Sequence, residues 1–214
     1  MIGLRRSSLL VVLAVAALAA AVISAAPSVR VALLPAASRM LVAEGARAPA
    51  DVIVLSPSTG GAGPLEAADL VRRKIASRVA IFADPPGGAD LEFIRRGLPY
   101  EDSAASQMRQ LGWLGVKDVT QIPMNGSLTE VLSGWCEKQK IHSIVFVALN
   151  GESRRMQRVL NRAMKGGATR VNVHPARYSD FDPDRWWESR GGVRTVIIEV
   201  QKLVVDYILH PLQR

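Results

Sequence analysis

The chain of 214 residues has a single cysteine, Cys136, and few aromatic residues. One cysteine excludes an internal disulfide, so a hydrophobic core must hold the fold together, and this length suffices for one such domain. Phe, Trp and Tyr make up 5% of a chain that is 49% hydrophobic. This composition favours buried parallel strands covered by helices over an aromatic-rich antiparallel sandwich. We interpret Cys136 as a buried helix residue; a catalytic thiol is the weaker alternative, because no histidine motif accompanies it.

Acidic residues are also scarce: 19 Asp and Glu stand against 27 Lys and Arg, a net charge of +8. Next to a membrane, such an excess suggests contact with anionic head groups or a phosphorylated ligand, although a solvated surface without a partner gives the same count. The three histidines, His142, His174 and His210, lack metal-ligand spacing, so we predict no metal site. The motifs G-x-S-x-G and Walker A are absent, and no cofactor is indicated.

Charge is absent from the eighteen residues of Leu9–Ala26, which Arg5 and Arg6 precede. At about 1.5 Å per residue this run can cross a bilayer core of about 30 Å, and the arginines favour a cytoplasmic N-terminus. We predict a cytoplasmic stub and transmembrane signal anchor over 1–26, a juxtamembrane connector over 27–50 and an extracytoplasmic domain over 51–214. A single-pass inner-membrane protein with a periplasmic domain would not meet nucleic acid. A signal peptide cleaved after Ala26 is the alternative, and it leaves the domain on the same side.

Short apolar runs alternate with helical patterns throughout the domain. The predicted strands are Val52–Leu55, Val79–Ala83, Val119–Ile122, Ser143–Leu149 and Arg170–Val173. The predicted helices cover about 65–76, 102–114, 127–140, 152–165 and 193–209. This alternation predicts an α/β fold, a Rossmann-like, doubly wound and mainly parallel five-stranded sheet, preceded by the N-terminal transmembrane helix.

Several segments carry a resemblance to a known family by their order and spacing. They are the strand Asp51–Leu55, the segment Glu101–Val116, Ser127-Leu128-Thr129-Glu130, Ser153-Arg154-Arg155, Trp186–Arg190 and Glu199–Leu203. Together they resemble the YdcF/SanA/ElyC-like family, the domain of unknown function 218, from Asp51 to Tyr207. The resemblance implies a membrane-anchored, extracytoplasmic Rossmann-like domain linked to the homeostasis of the envelope and of peptidoglycan precursors.

The chain departs from that family at two places. Ser56-Pro57 follows the first strand directly, where the family has a Gly-Gly pair, and Gly60-Gly61 comes later. Glu152 stands where the family usually carries a histidine. If that histidine is chemically important in the family, this chain binds the ligand without transforming it.

In an open parallel sheet, ligands bind beyond the C-terminal ends of the strands. The candidate ligand-binding residues at this edge are Ser58, Thr59, Gly60, Gly61, Ser127, Thr129, Asn150, Ser153, Arg154 and Arg155. Glycines before a helix let backbone N–H groups approach an anion, although a plain flexible turn explains them equally well. Arg154 and Arg155 lie in a first helical turn, where they oppose the helix dipole, which suggests a clamp for phosphate or carboxylate.

Two predictions concern the outer helices. Arg158, Arg162 and Lys165 continue the basic stripe of the helix over 152–165, and we interpret them as a solvated outer face. The last helix carries an apolar stripe, which we expect to be buried in the core. Its members are Val196, Ile197, Val200, Leu203, Val204 and Ile208.

Three hypotheses about function follow. The leading one is a membrane-anchored envelope protein that binds an anionic or phosphorylated ligand, small or lipid-linked. The second is a transferase or hydrolase for a lipid-linked or nucleotide-like phosphorylated substrate, with Glu101, Glu130 or Glu152 in an acid–base role. The third is a catalytically inactive structural or interaction domain. The identity of the ligand and the oligomeric state are open at this stage.

Overall fold

Five short strands form the middle layer of the molecule. The computed structural model describes residues 34–211. The strands are β1 (Val52–Leu55), β2 (Arg78–Ala83), β3 (Asp118–Pro123), β4 (Ser143–Leu149) and β5 (Arg170–Ala176). They pair in parallel in the order β3-β2-β1-β4-β5, with Ile53 opposite Val79 on one side and Val145 on the other. The predicted Rossmann-like, five-stranded sheet is confirmed, and it is parallel throughout.

Helices cover both faces of this sheet. The helices that follow β1 in the chain are α1 (Ala62–Arg72), α2 (Gly88–Arg95), α3 (Ser103–Trp113), α4 (Leu128–Lys138), α5 (Ser153–Ala163) and α6 (Arg190–Leu209). Because successive strand residues point to opposite faces, Ile53 and Leu55 pack with α1 and α3, whereas Val52 and Val54 pack with α4 and α5. Cys136 of α4 is buried in the second of these cores, as predicted, and burial raises the pKa of its thiol to about 11.

Helix α2 and the segment before β1 differ from the sequence-based expectation. We predicted no helix over α2, and none of its residues is buried, so no apolar periodicity against a core marks it. Residues 34–39 are helical, and the chain from there to β1 packs onto the domain, with Leu41 and Ala46 buried. The described part of the predicted connector is therefore built into the domain.

Helix α6 lies outside the layers that cover the sheet and packs against α5 and the turn before it. Our prediction that its apolar stripe is buried in the core is wrong for most of the stripe. Val196 is buried, whereas Ile197 and Ile208 are 52% and 71% exposed. The reason is that α6 turns Glu199 and Asp206 towards α5, which leaves the apolar stripe on the outside.

The prediction of a solvated basic stripe on the helix over 152–165 holds for Lys165, which is exposed, but is wrong for Arg158. Arg158 donates to one oxygen of Asp206 at 2.7 Å, and Arg162 to the other at 2.8 Å. The Arg158 side chain is 13% exposed, so it is not on a solvated outer face. Ion pairs thus join α5 to α6. The sequence of either helix alone does not indicate these pairs.

Between Leu34 and Pro211 the fold contains no helix both long and apolar enough to cross a bilayer. The predicted anchor, Leu9–Ala26, lies outside the described residues.

Candidate ligand-binding cleft

The sheet reverses its winding between β1 and β4, and a cleft of about 980 Å³ opens beyond the C-terminal ends of these two strands. The chain leaves β1 through α1 on one face and leaves β4 through α5 on the other. Such a switch point forms a crevice in which doubly wound proteins bind their ligands. The volume lies within the range of small-molecule sites.

The loop after β1 supplies one wall of the cleft and presents open backbone. Pro57–Thr59 forms a 3-10 turn, which the buried Thr59 hydroxyl braces by donating to the carbonyl oxygen of Ser56 at 2.7 Å. Gly60 has φ +50° and Gly61 is the N-cap of α1. A Cβ at either glycine would meet no atom within 4 Å. The backbone at Gly60 and Gly61 therefore lies beside free space, whereas a Cβ at Gly63 would meet the Thr59 hydroxyl and Pro64 has no N–H.

The loop after β4 brings a carboxylate to the same place. Glu152 ends the 3-10 turn Asn150–Glu152, and its Oε1 accepts a hydrogen bond from Ser58 Oγ at 2.5 Å. Since Ser58 donates to Glu152, the hydroxyl of Ser56, 2.9 Å from Ser58 Oγ, must donate to Ser58. The β1 and β4 loops are thus joined by a chain of two hydroxyls and a carboxylate in the cleft wall.

Arg155 is engaged by the protein's own carboxylates. Its Nε donates to Glu199 Oε2 at 2.6 Å, and its Nη2 lies 3.8 Å from Glu152 Oε2. Lys202 of α6 also donates to Glu199, at 2.7 Å. Because these cations already have anionic partners, their role here is to hold the acidic wall of the cleft in position.

A second wall comes from the segment after β5 and from the start of α6. Ser179 lines the cleft, and its Oγ is buried without a hydrogen-bond partner among residues 34–211. Arg194 lines the cleft too, and no ion pair within the described chain engages it. Asp180 is an exposed carboxylate on the same wall. The cleft therefore combines one uncommitted cation, an unsatisfied hydroxyl and acceptor carboxylates.

A buried ionic network fixes this wall from behind. Glu66 of α1 is fully buried and receives hydrogen bonds from His174 Nε2 at 3.1 Å and Arg177 Nε at 3.0 Å. His174 Nδ1 accepts from the backbone N–H of Ala46, so Nε2 carries the proton. Burial raises the pKa of Glu66, but the hydrogen bonds from His174 and Arg177 outweigh burial and lower the pKa to about 2. The neighbouring Tyr178 lines the cleft and donates to Asp69 at 2.7 Å.

Of the predicted ligand-binding residues, Ser58, Thr59, Gly60 and Gly61 line the cleft, together with the candidate acid Glu152. Three others lie close by but are used elsewhere. Asn150 donates to the carbonyl oxygen of Phe181, and the buried Ser153 hydroxyl accepts from the N–H of Ala43 and donates to the carbonyl oxygen of Asn150. Arg155 has the partners described above.

Arg154 lies apart from the cleft although it follows Ser153 directly. Its side chain lines a separate hollow of about 360 Å³, together with Arg47 and Gln157. Adjacent residues of a helix point in different directions, so Arg154 and Arg155 cannot clamp one ligand from the same face.

The remaining predicted residues lie near the edge strand β3, away from the cleft. Ser127 and Glu130 form a capping box at the start of α4, where the Ser127 hydroxyl donates to Glu130 at 2.7 Å and lowers the pKa of that carboxyl. Thr129 is next to them, and Glu101 forms an exposed ion pair with Arg109. Ser127, Thr129 and Glu130 follow β3, and Glu101 precedes α3, the helix that leads into β3. Strand β3 is at the edge of the sheet, two strands from β1 and the switch point. Glu152 is thus the one candidate acid of the three in the cleft.

Five further residues line the cleft but were not among the predicted site residues, namely Tyr178, Ser179, Asp180, Arg194 and Lys202. The first three follow β5, so the rule that loops at C-terminal strand ends form sites could have found them. Arg194 and Lys202 carried no such signal, because we assigned the last helix to core packing. No group of three or more His, Cys, Asp and Glu side chains able to hold a metal occurs in the described part of the chain.

Comparisons with known proteins identify no family for this chain. No family model matches it, and no curated protein matches it. Among solved structures, a universal stress protein in complex with cAMP is similar at 16% identity and a TM-score of 0.39. The match covers 61% of this chain and 99% of that one. Nothing about the ligand of the present chain follows from so distant a likeness.

Proposed function

We propose that this protein is a membrane-anchored, extracytoplasmic binding protein whose cleft between β1 and β4 takes a small phosphorylated ligand that also carries hydroxyl groups. The observation that carries the proposal is the open N-terminus of α1 at the switch point. Gly60 and Gly61 leave free space at this end of the helix, and α1 has no acidic residue in its first turn. A helix N-terminus with this access favours an anion.

Arg194 and Ser179, on the wall formed after β5 and by α6, support an anionic ligand. Arg194 is a cation without an anionic partner in the described chain, and a guanidinium matches a phosphate in a bidentate manner. The buried Ser179 hydroxyl has no partner, and a buried polar group of this kind is stabilised by an acceptor or donor on a ligand or by water.

The carboxylates of the cleft limit the choice of ligand. Glu152 and Asp180 would repel a ligand that is anionic throughout, but they can accept hydrogen bonds from hydroxyl groups. Dinucleotide-binding folds use an acidic residue for ribose hydroxyls in the same way. A sugar or polyol phosphate meets both demands, because its phosphate can accept hydrogen bonds from backbone N–H groups and Arg194 while its hydroxyls donate to Glu152 and Asp180.

The proposed location depends on the sequence. The charge-free run Leu9–Ala26 behind Arg5 and Arg6 is typical of a signal anchor, and the resemblance to the YdcF/SanA/ElyC-like family adds a role in the homeostasis of cell-wall precursors. Precursors of that kind include lipid-linked sugar phosphates, which agree with the chemistry of the cleft.

Catalysis is the second candidate, and the Ser58–Glu152 pair favours it. A hydroxyl that donates to a carboxylate at 2.5 Å is the arrangement by which a general base activates a nucleophile. A hydrolase or transferase would use Glu152 as the base, with Arg155 holding that carboxylate in place. A purely structural role is the third candidate, and a cleft that binds no phosphate would favour it.

Binding is tested on the full chain in detergent by equilibrium dialysis with a sugar 1-phosphate. Arg194→Ala should weaken binding about 10-fold or more, the loss of one charge-assisted hydrogen bond pair. Arg154→Ala is the matched control, since it removes an arginine of the separate hollow and should leave affinity unchanged. Equal effects of the two substitutions, or none at Arg194, would show that the cleft is not the site.

Catalysis is tested with the same ligand by following phosphate release and transfer to an acceptor alcohol. If Glu152 is a general base, Glu152→Gln should lower the turnover number by about 100-fold or more while ligand affinity changes little. Binding without turnover in the unsubstituted chain would support the binding protein and exclude the enzyme for this ligand class.

A further inference from the structure

Helix α6 presents an apolar face to the outside of the molecule. Its exposed apolar residues are Ile197, Val200, Val204, Val205, Tyr207, Ile208 and Leu209. Ordinary surface helices turn their apolar stripe inwards and their charges outwards. In α6 the arrangement is reversed, because Glu199 and Asp206 face α5. A contiguous exposed apolar face of this kind is typical of an interaction site.

The charged residues of α6 are also divided between its buried and its exposed side. Both of its acids are buried and paired, Glu199 with Arg155 and Asp206 with Arg158. The exposed charged residues of the helix are all basic, namely Arg190, Arg194 and Lys202. An apolar face with cations and no exposed acid is complementary to an anionic lipid leaflet, which offers an apolar interior below negative head groups.

The N-terminal end of the described chain lies beside this helix. Trp186 Nε1 donates to the carbonyl oxygen of Leu34 at 2.9 Å, and α6 begins four residues later at Arg190. Arg39 also pairs with Asp184 in the same segment. Residues 27–33, seven in number, separate the predicted anchor from Leu34, and they can span at most about 25 Å. An anchored chain therefore has the start of α6 close to the leaflet.

From the exposed face, its charge and its position we propose that α6 lies on the anionic leaflet from which the anchor emerges, with Ile197, Val204 and Ile208 in contact with the acyl chains. This inference rests on the anchor of the proposed function. Lys202 and Arg194 belong to both α6 and the cleft. The leaflet contact would therefore bring the cleft beside the lipid head groups, where a lipid-linked phosphate could reach it.

The test uses the full chain reconstituted into vesicles of phosphatidylcholine and phosphatidylglycerol. Ile208→Cys and Ile197→Cys carry an environment-sensitive fluorophore; the native Cys136 is 1% exposed and stays unlabelled in the folded protein. Trp113→Cys is the matched control, an exposed apolar position on α3, in the helix layer on the opposite face of the sheet from α5. We expect the two α6 labels to shift to the blue and to be quenched by brominated acyl chains, and the α3 label to do neither.

Flotation in alkaline carbonate separates this inference from the anchor, because a spanning segment stays in the vesicle while a surface contact is lost. A chain that floats but leaves the α6 labels in water overturns the lipid contact and keeps the anchor. A blue shift without quenching by brominated chains also overturns it, since a second copy or residues 1–33 would then cover α6. Quenched α6 labels in a chain that carbonate releases support the lipid contact and overturn the anchor.

Discussion

Strand β4 and helix α6 have similar sequences in one respect, since Val, Ile and Leu dominate both, yet the fold treats them oppositely. Five consecutive residues of β4, Ile144–Ala148, are buried. In α6 the buried residues are Gly192, Val196, Glu199 and Asp206. The difference shows that apolar content locates a core only when the element has neighbours on the sides where its apolar residues point. Strand β4 has β1 and β5 beside it and helices on both faces, whereas α6 packs on one side only, against α5, the turn before it and a small cluster with Leu41 and Phe181.

The largest expected loss of stability comes from a substitution in the core of the sheet. Phe146→Ala removes a ring that is fully buried between β1, β5 and the helices of its face, and it should lower the free energy of unfolding by about 3–5 kcal/mol. Urea denaturation of the full chain in detergent, followed by circular dichroism, measures the change. A loss below about 1 kcal/mol would mean that the sheet core is not packed as described.

A slightly smaller effect is expected from Glu66, the buried charge behind the cleft. Its pKa of about 2, against 4.5 for an ordinary Glu, corresponds to about 3 kcal/mol of stability. Because the folded pKa is the lower one, this contribution is fully present above about pH 4.5 and is lost as the pH falls towards 2. Glu66→Gln should lower stability at pH 7 and flatten its dependence on pH in that window. Parallel pH profiles for the two proteins would contradict the network around His174 and Arg177.

The contact between α5 and α6 is tested by Asp206→Asn, which removes the carboxylate that Arg158 and Arg162 share. Burial raises the pKa of Asp206, but hydrogen bonds from the two arginines outweigh it and hold the pKa below its usual range. The substitution should cost about 2 kcal/mol, and α6 should become more accessible to proteases. Glu137→Gln, at an exposed position of α4, is the control and should change neither. Unchanged protease resistance would show that the ion pairs do not hold α6.

The smallest change in the free energy of unfolding is expected at the exposed apolar residues of α6. Ile208→Ala and Val204→Ala should each change the free energy of unfolding by less than about 0.5 kcal/mol, because their side chains gain little burial in the described fold. If either substitution lowered the free energy of unfolding as much as Phe146→Ala, the apolar residues of α6 would be buried like those of β4, which would contradict the comparison.

The sequence predicted those parts of the fold in which local pattern and burial agree. Strands β1 and β4 have the predicted bounds, because continuous apolar runs between turns are typical of buried parallel strands. Helices α5 and α6 were predicted with nearly the observed bounds, but their contacts and the presence of α2 were not predicted. Nothing in α5 or α6 alone indicates that Arg158 would pair with Asp206 across 48 positions, and the exposed α2 has no core-facing stripe.

Four of the ten predicted ligand-binding residues line the cleft, together with one of the three candidate acids. Gly60, Gly61, Ser58 and Glu152 follow β1 and β4, and the rule about strand ends brings them together correctly. The same rule also selected Ser127 and Thr129, because the order of strands in a sheet is not visible from the sequence. Only the strand order β3-β2-β1-β4-β5 separates the loops at the switch point from those at the edge.

The most direct test of the account is an amide NMR titration of the isotope-labelled full chain in lipid nanodiscs with inorganic phosphate. The account predicts that chemical shifts change at the amides of Gly60, Gly61 and Ser179, in the cleft between β1 and β4. Changes confined to Ser127–Glu130, or to the hollow around Arg154, would contradict it.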